Sequence, residues 1–163
     1  MPCTLRIGIG YDSHRLATGR PLVLGGVRIA HPQGLVGHSD ADVVLHALTD
    51  ALLGAAGWGD IGDAYPDTDP AYKDADSSLF VTQTLARLRQ AGWTIVNVDV
   101  NVIAEKPKLG PAKLAMRRSL SALLALELDN VNVKAKTAEG VGPIGRGEAI
   151  ACQVVVLIDR AKE

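Results

Sequence analysis

Asp12 and His14 stand two apart, and on an extended chain residues two apart share a side. A carboxylate and an imidazole placed that way can converge on one cation. His46 offers a third donor from far along the chain. On a helix whose apolar stripe centres on Leu48 it falls on the opposite side, with Asp42 and Asp50 as its i±4 neighbours. A close ligand pair plus one distant ligand is a usual layout of catalytic zinc, and three N/O ligands leave the fourth tetrahedral position open. Spacing alone still favours the plainer reading, a surface helix histidine and a turn-forming aspartate, because no zinc motif such as H-E-x-x-H is present.

Five other groupings carry chemistry-bearing residue types. His38-Ser39-Asp40 puts a histidine just before a helix start, where backbone N–H groups favour phosphate, or the helix is simply capped. Gly59-Asp60-Ile61-Gly62 and Tyr65-Pro66-Asp67-Thr68-Asp69-Pro70 form a polar loop too long to be only a connection. In it Asp60 can accept hydrogen bonds from polyol hydroxyls, or the loop is merely solvated. Ala104-Glu105-Lys106-Pro107-Lys108-Leu109-Gly110-Pro111 is a stiff basic turn, able to read a base edge and a phosphate or simply to precede a helix. Lys136-Thr137-Ala138-Glu139 brings a cation, a hydroxyl and a carboxylate to a strand end, and Glu139 could hold Mg²⁺ between phosphates. Arg146, in Gly145-Arg146-Gly147-Glu148, can fork onto phosphate or pair with Glu148. Gly8-Ile9-Gly10 lacks the third glycine of a dinucleotide fingerprint, and no Walker lysine follows. Together the groupings suggest an enzyme that acts on a phosphorylated small molecule with metal help.

The elements that must position these groups read as follows. Leu5, Ile7, Ile9 and Tyr11 alternate with Arg6, Gly8 and Gly10, a first strand. Leu22-Leu24 and Val27-Ile29, broken at Gly25-Gly26, predict a hairpin. Ser39 reads as a helix N-cap with Asp42 at the third helical position. Val44, Leu45, Leu48, Ala51, Leu52 and Ala55 make one apolar stripe that Gly57 ends. A long loop, Gly57-Asp76, precedes a second helix over Leu79-Ala91. Val96, Val98, Val100 and Val102 predict a strand with Asn97, Asp99 and Asn101 on its other face. Pro111 opens a third helix to about Leu126, and Val131-Ala135 and Ile150-Ile158 are the last strands. The order predicts an α+β sandwich, a mixed sheet with helices on one face. The other face then needs a partner, which points to a homo-oligomer with sheets facing one another.

Composition bounds the rest. The 163 residues read as one domain, 1–163, of ordinary globular make-up, 47% hydrophobic and 21% charged. A net charge of -1 offers no basic excess for nucleic acid. No apolar run reaches membrane-span length, and no signal-peptide core opens the chain. Of two cysteines, Cys152 sits in an apolar run and Cys3 near the terminus, so no disulfide framework is expected and the protein reads as reduced, intracellular and cytoplasmic.

These motifs closely resemble the 2-C-methyl-D-erythritol 2,4-cyclodiphosphate synthase family, from about Leu5 to Ile158. The residues that carry the likeness are Gly10-Tyr11-Asp12-Ser13-His14, Gly37-His38-Ser39-Asp40-Ala41-Asp42 running into Leu45-His46 and Asp50, the Asp60 and Tyr65–Pro70 loop, Pro107-Lys108, and Gly145-Arg146-Gly147-Glu148. The resemblance implies a homotrimer with a ferredoxin-like βαβ core and active sites between adjacent subunits. It implies attack of the 2-phosphate of 4-diphosphocytidyl-2-C-methyl-D-erythritol 2-phosphate on its β-phosphorus, with release of CMP, in non-mevalonate isoprenoid biosynthesis. By motif, Asp12, His14 and His46 would bind Zn²⁺, and Glu139 would hold Mg²⁺ or Mn²⁺. His38 and Thr137 would stabilise the transition state. Ser13 and Ser39 would hold the substrate with Asp60, Ile61 and Gly62, and the loop carrying Tyr65, Pro66, Asp67, Thr68 and Asp69 would close over it. Ala104, Glu105, Lys106, Pro107, Lys108, Leu109 and Gly110 would line the cytidine pocket, with Lys136, Ala138 and Arg146 near the phosphates. Lys136 and Ala138 depart from the hydroxyl residues common in the family, and Pro143 from its phenylalanine near the trimer axis. Rival readings are a metal-dependent phosphohydrolase and a non-catalytic cytidine-nucleotide-binding trimer.

Overall fold

The computed structural model describes residues 4–160. Its strands are β1 (Arg6–Thr18), β2 (Leu22–Leu24), β3 (Val27–Ile29), β4 (Gln33–Leu35), β5 (Trp93–Ile103), β6 (Val131–Lys136) and β7 (Ala149–Arg160). Five form one sheet in the order β4-β1-β7-β5-β6, in which β5 and β6 run parallel and the other pairs antiparallel. The hairpin β2–β3 stands apart, its turn made by Gly25 and Gly26, both at positive φ as a tight primed turn requires. The long helices are α1 (Val43–Ala56), α3 (Ser78–Gln90) and α4 (Lys113–Leu124). Single turns α2 (Ile61–Ala64) and α5 (Gly142–Gly145) interrupt the two long loops. The protein is thus α+β, with α1, α3 and α4 over one face of a mixed sheet.

That face is lined by Val98, Val100, Val102, Val131, Val154, Val156 and Ile158, all buried. On β1 the alternation has the opposite sense. Ile7, Ile9 and Tyr11 are exposed on the open face, at 72%, 59% and 59%, and the glycines face the helices. A Cβ on Gly10 would lie 1.9 Å from the Ala47 carbonyl oxygen, and one on Gly8 1.9 Å from that of Ala51. The glycines therefore let α1 lie against the strand backbone, and the apolar residues form a surface strip.

Four expectations are corrected. The first strand continues past Tyr11 to Thr18. The α1 cap is Asp42, whose carboxylate accepts the Val44 and Leu45 N–H groups, and not Ser39, whose hydroxyl is engaged elsewhere. A bulge between Ile95 and Asn97 shifts the β5 register and leaves Val96 exposed. α1 is buried on nearly all sides, so only His46, Asp50 and Gly54 interrupt the buried face. Cys152 is buried and free as its apolar run predicts, and Cys3 lies outside the described residues. No helix among the described residues is long and apolar enough to cross a membrane.

Candidate active site

The glycine contacts fix how α1 crosses β1. Two residues along a strand advance about 6.6 Å, and four along a helix about 6 Å. Gly8 meets Ala51 and Ala55, Gly10 meets Ala47 and Ala51, and so the next inward position, Asp12, meets the turn that carries His46. His14, two further on, shares that side.

The result is a triangle of donor atoms. Asp12 Oδ2 lies 2.9 Å from His14 Nε2 and 3.0 Å from His46 Nδ1, and the two nitrogens are 2.9 Å apart. Burial opposes ionisation of Asp12, but hydrogen bonds to His14 and His46, and their charge, outweigh it and hold the carboxyl well below its usual range. These are the only three among the described His, Cys, Asp and Glu side chains that converge closely enough to hold a metal ion. The donor set, two imidazoles and an ionised carboxylate at half-buried positions, fits zinc and related divalent metals. His46 Nε2, on the far side of the ring, is 2.9 Å from the hydroxyls of both Ser39 and Ser77.

The triad opens into a cavity of about 670 Å³, within the range of small-ligand sites. His38, Ser39, Asp60, Ile61, Gly62, Tyr65, Pro66 and Asp67 line it. Asp50 lines it too and accepts the Ile61 N–H at 3.0 Å, which pins the start of α2 beside the triad. Burial raises the Asp50 carboxyl above its usual range. The Ile61 N–H offsets part of this, and the Asp60 and Asp12 charges add to it. Asp60 caps α2 through the Asp63 N–H. Thr68 and Asp69 stay out of the cavity, Asp69 capping the next turn through the Ala71 N–H. Ser13 is exposed on β1.

The other predicted residues gather elsewhere. Ala104, Pro107, Lys108, Leu109, Gly110, Lys136 and Thr137 line a separate cavity of about 270 Å³ at the C-terminal ends of the parallel strands β5 and β6. Glu105 and Lys106 flank it, and Glu105 Oε2 takes the Gly140 N–H at 3.5 Å. Thr137 donates to the Glu139 carboxylate at 2.6 Å, and Glu139 and Ala138 lie in neither cavity. Arg146 pairs with Glu148 at 2.6 Å, the plainer of its two readings. The two cavities differ in charge. The larger is lined by four carboxylates and three histidines without lysine or arginine, the smaller by Lys108, Lys113 and Lys136 without a carboxylate.

Sequence reasoning did not find the aromatic wall, Tyr65, Tyr72 and Phe80, whose rings lie 4.9–5.6 Å apart, beyond naming Tyr65. Nor did it find Ser77, which in sequence looks like an ordinary residue before a helix.

Comparison with known proteins converges on one family. The YgbB family signature spans residues 5–159. The 2-C-methyl-D-erythritol 2,4-cyclodiphosphate synthase of Bordetella avium is 56% identical over 160 residues, covering 98% of this chain and 99% of that protein. A solved 2C-methyl-D-erythritol-2,4-cyclodiphosphate synthase in its CDP-bound form superposes with a TM-score of 0.87 at 42% identity, over 94% of this chain and all of that one. The bifunctional IspDF of Campylobacter jejuni gives a TM-score of 0.93 at 43% identity over 97% of this chain, which spans 43% of that longer protein. With these likenesses running end to end through Asp12, His14, His46 and the polar loop, the chain belongs to the YgbB family of 2-C-methyl-D-erythritol 2,4-cyclodiphosphate synthases.

Proposed function

We propose that this chain converts 4-diphosphocytidyl-2-C-methyl-D-erythritol 2-phosphate to 2-C-methyl-D-erythritol 2,4-cyclodiphosphate and CMP as one domain over 1–163. The triad of donor atoms at 2.9–3.0 Å carries the reading. An acidic cavity repels a diphosphate unless a cation is held there, and Asp12, His14 and His46 are the residues to hold it as Zn²⁺. Bound there, zinc supplies positive charge that polarises phosphate oxygens.

An oxygen of the 2-phosphate attacks the β-phosphorus, the bond from that phosphorus to the α–β bridging oxygen breaks, and CMP leaves with the electron pair. Positioning and charge neutralisation suffice for such a step, which accounts for the lack of a strong general base. His38 and Ser39 donate hydrogen bonds to phosphate oxygens. Asp60 and the Gly62 backbone take the polyol hydroxyls under the Tyr65–Asp69 loop. Lys108 and Lys136 receive the cytidine diphosphate end, with Thr137 beside it. Glu139 would hold Mg²⁺ or Mn²⁺, which would supply positive charge to the diphosphate.

One substrate has to reach both cavities. Pairing the acidic cavity of one subunit with the basic cavity of the next is the arrangement that supports a homotrimer with shared sites, closed by the exposed strip Ile7, Ile9 and Tyr11. The expected location is cytoplasmic. ³¹P NMR of the protein with the diphosphocytidyl substrate, Zn²⁺ and Mg²⁺ tests this. Coupled cyclic-diphosphate resonances with CMP are expected. Free phosphate would indicate a hydrolase, and tight CMP binding without turnover a nucleotide-binding trimer.

A further inference from the structure

We infer that Ser77 and Asp40 form a positioning relay that fixes the tautomer and orientation of His46, so that Nδ1 is presented as a lone pair to a metal. The inference rests on the reading of Asp12, His14 and His46 as metal ligands. Neither Ser77 nor Asp40 lines the cavity.

The hydrogen-bond directions follow from what each group can do. The Asp40 carboxylate only accepts. It is held on both oxygens, Oδ1 by the Asp42 N–H at 3.1 Å and Oδ2 by the Ser77 N–H at 3.2 Å. Ser77 Oγ is in hydrogen-bond contact with Asp40 Oδ1, so the serine proton is committed to that oxygen. Towards His46 Nε2, at 2.9 Å, Ser77 can then only accept. The Ser77 contact therefore takes a proton on Nε2, beside which Ser39 Oγ, also at 2.9 Å, can accept, and in the neutral ring Nδ1 is then left without one, its contact with Asp12 open to a metal. That nitrogen is the one in the triangle with Asp12 Oδ2 and His14 Nε2. A histidine ligand whose other nitrogen donates to a fixed acceptor is the usual outer-shell arrangement of a metal site.

An independent observation favours a functional role for the serine. Ser77 occupies the N-cap position of α3, where serine ordinarily accepts a helix N–H through its side chain. Here it makes no such bond, and the Ser78 N–H goes to Asp76 Oδ1 instead. The hydroxyl is fully buried and turned to His46 and Asp40, so a local stabilising contact is given up for the relay. The segments are also pinned to one another by Asp74 N–H to the His38 carbonyl at 2.8 Å and Asp40 N–H to that of Ala75 at 3.0 Å. The relay therefore reaches His46 from a rigid frame.

The test uses the full chain, with zinc affinity measured by chelator competition on the parent and on Ser77→Ala. Roughly a 10–100-fold weaker zinc affinity is expected for Ser77→Ala, with the metal-free unfolding transition still cooperative. In the metal-free parent, long-range ¹H–¹⁵N spectra should show the neutral His46 ring protonated at Nε2. An unchanged zinc affinity in a folded Ser77→Ala, or a parent His46 protonated at Nδ1, would overturn the relay. Should Ser77→Ala not fold, the parent spectrum decides alone. A parent that takes up no zinc would overturn the metal reading itself, and the relay with it.

Discussion

The Asp42 carboxylate is buried completely and joins α1, which carries His46, to the β2–β3 turn. Oδ1 accepts the N–H groups of Gly25, Val44 and Leu45 at 2.9, 3.0 and 3.2 Å, and Oδ2 that of Gly26 at 2.7 Å. One side chain thus caps α1, which bears His46, and ties it to the β2–β3 turn. Burial pushes this carboxyl up from 3.8 to about 6. The backbone N–H groups of Gly26, Gly25 and Leu45 pull it back only in part, and the nearby Asp40 charge adds to the rise. Between those two values the folded chain keeps a proton that the unfolded chain has released. Stability from this group is therefore full below pH 3.8 and falls as pH rises through about 6, a loss of ~3 kcal/mol.

Asp42→Asn removes that dependence. The amide oxygen can serve the three donors on Oδ1, but the NH₂ then faces the Gly26 N–H, a stranded donor worth about 1–3 kcal/mol. The variant is expected to be less stable than the parent by about that amount near pH 4.5, and close to it near pH 7.5, where the parent bears the cost of its buried charge. Urea unfolding of both proteins at the two pH values, at one protein concentration and one metal state, reads the gap. A gap that stays constant or widens with pH would show that the four N–H groups outweigh burial and that Asp42 is an ordinary anionic cap.

Further perturbations address the site and its frame. His46→Ala should lose bound zinc and nearly all activity yet remain folded, which metal content and circular dichroism check together. Unchanged zinc content would remove His46 from the ligand set. Gly10→Ala places a methyl on the Ala47 carbonyl and must displace α1, so a loss of about 3 kcal/mol or no folded protein is expected in urea unfolding. Lys136→Thr should slow turnover by weakening the hold on the diphosphate in the basic cavity, and unchanged kinetics would sink that role.

Much of this site is legible in the sequence because its ligands depend on local geometry. Asp12 and His14 need only an extended chain to share a side, and β1 supplies it through Thr18. His46 needs only a helix, and the polar interruption at His46 and Asp50 survives even though α1 is buried almost all round. What spacing could not supply was the distance between the two. That is set by Gly8 and Gly10, whose meaning depends on α1 packing over them. The same two residues decide which face of the strand turns inward. Apolar Ile7, Ile9 and Tyr11 alternate as a core-facing set would, yet a strand that must touch a helix backbone puts its smallest residues inward. The α1 cap is hard to place from sequence for a related reason. Ser39 and Asp42 are both good caps in isolation, and only the tertiary partners, His46 and Ser77 for one and the Gly25-Gly26 turn for the other, assign them.

The charge of the two cavities joins these threads. Within the chain the Asp12, His14 and His46 triad sits among aspartates, and Lys108, Lys113 and Lys136 line the other cavity at the ends of β5 and β6. An acidic cavity cannot hold a phosphate group by itself, and a lysine-lined pocket without the triad cannot bring a divalent ion to it. The same strand that places Asp12 and His14 on its inner side presents Ile7, Ile9 and Tyr11 on its outer side. A change that alters the alternation of β1 therefore acts on both. Shifting the strand register by one residue would turn Asp12 and His14 to the open face, carry the apolar strip into α1, and break up the donor triad and the exposed strip together. A slip in either direction drives side chains into the α1 backbone, which now leaves no room for a Cβ at Gly8 or Gly10. This is why a strand with so little side-chain volume on its inner face can hold Asp12 and His14 in place beside His46.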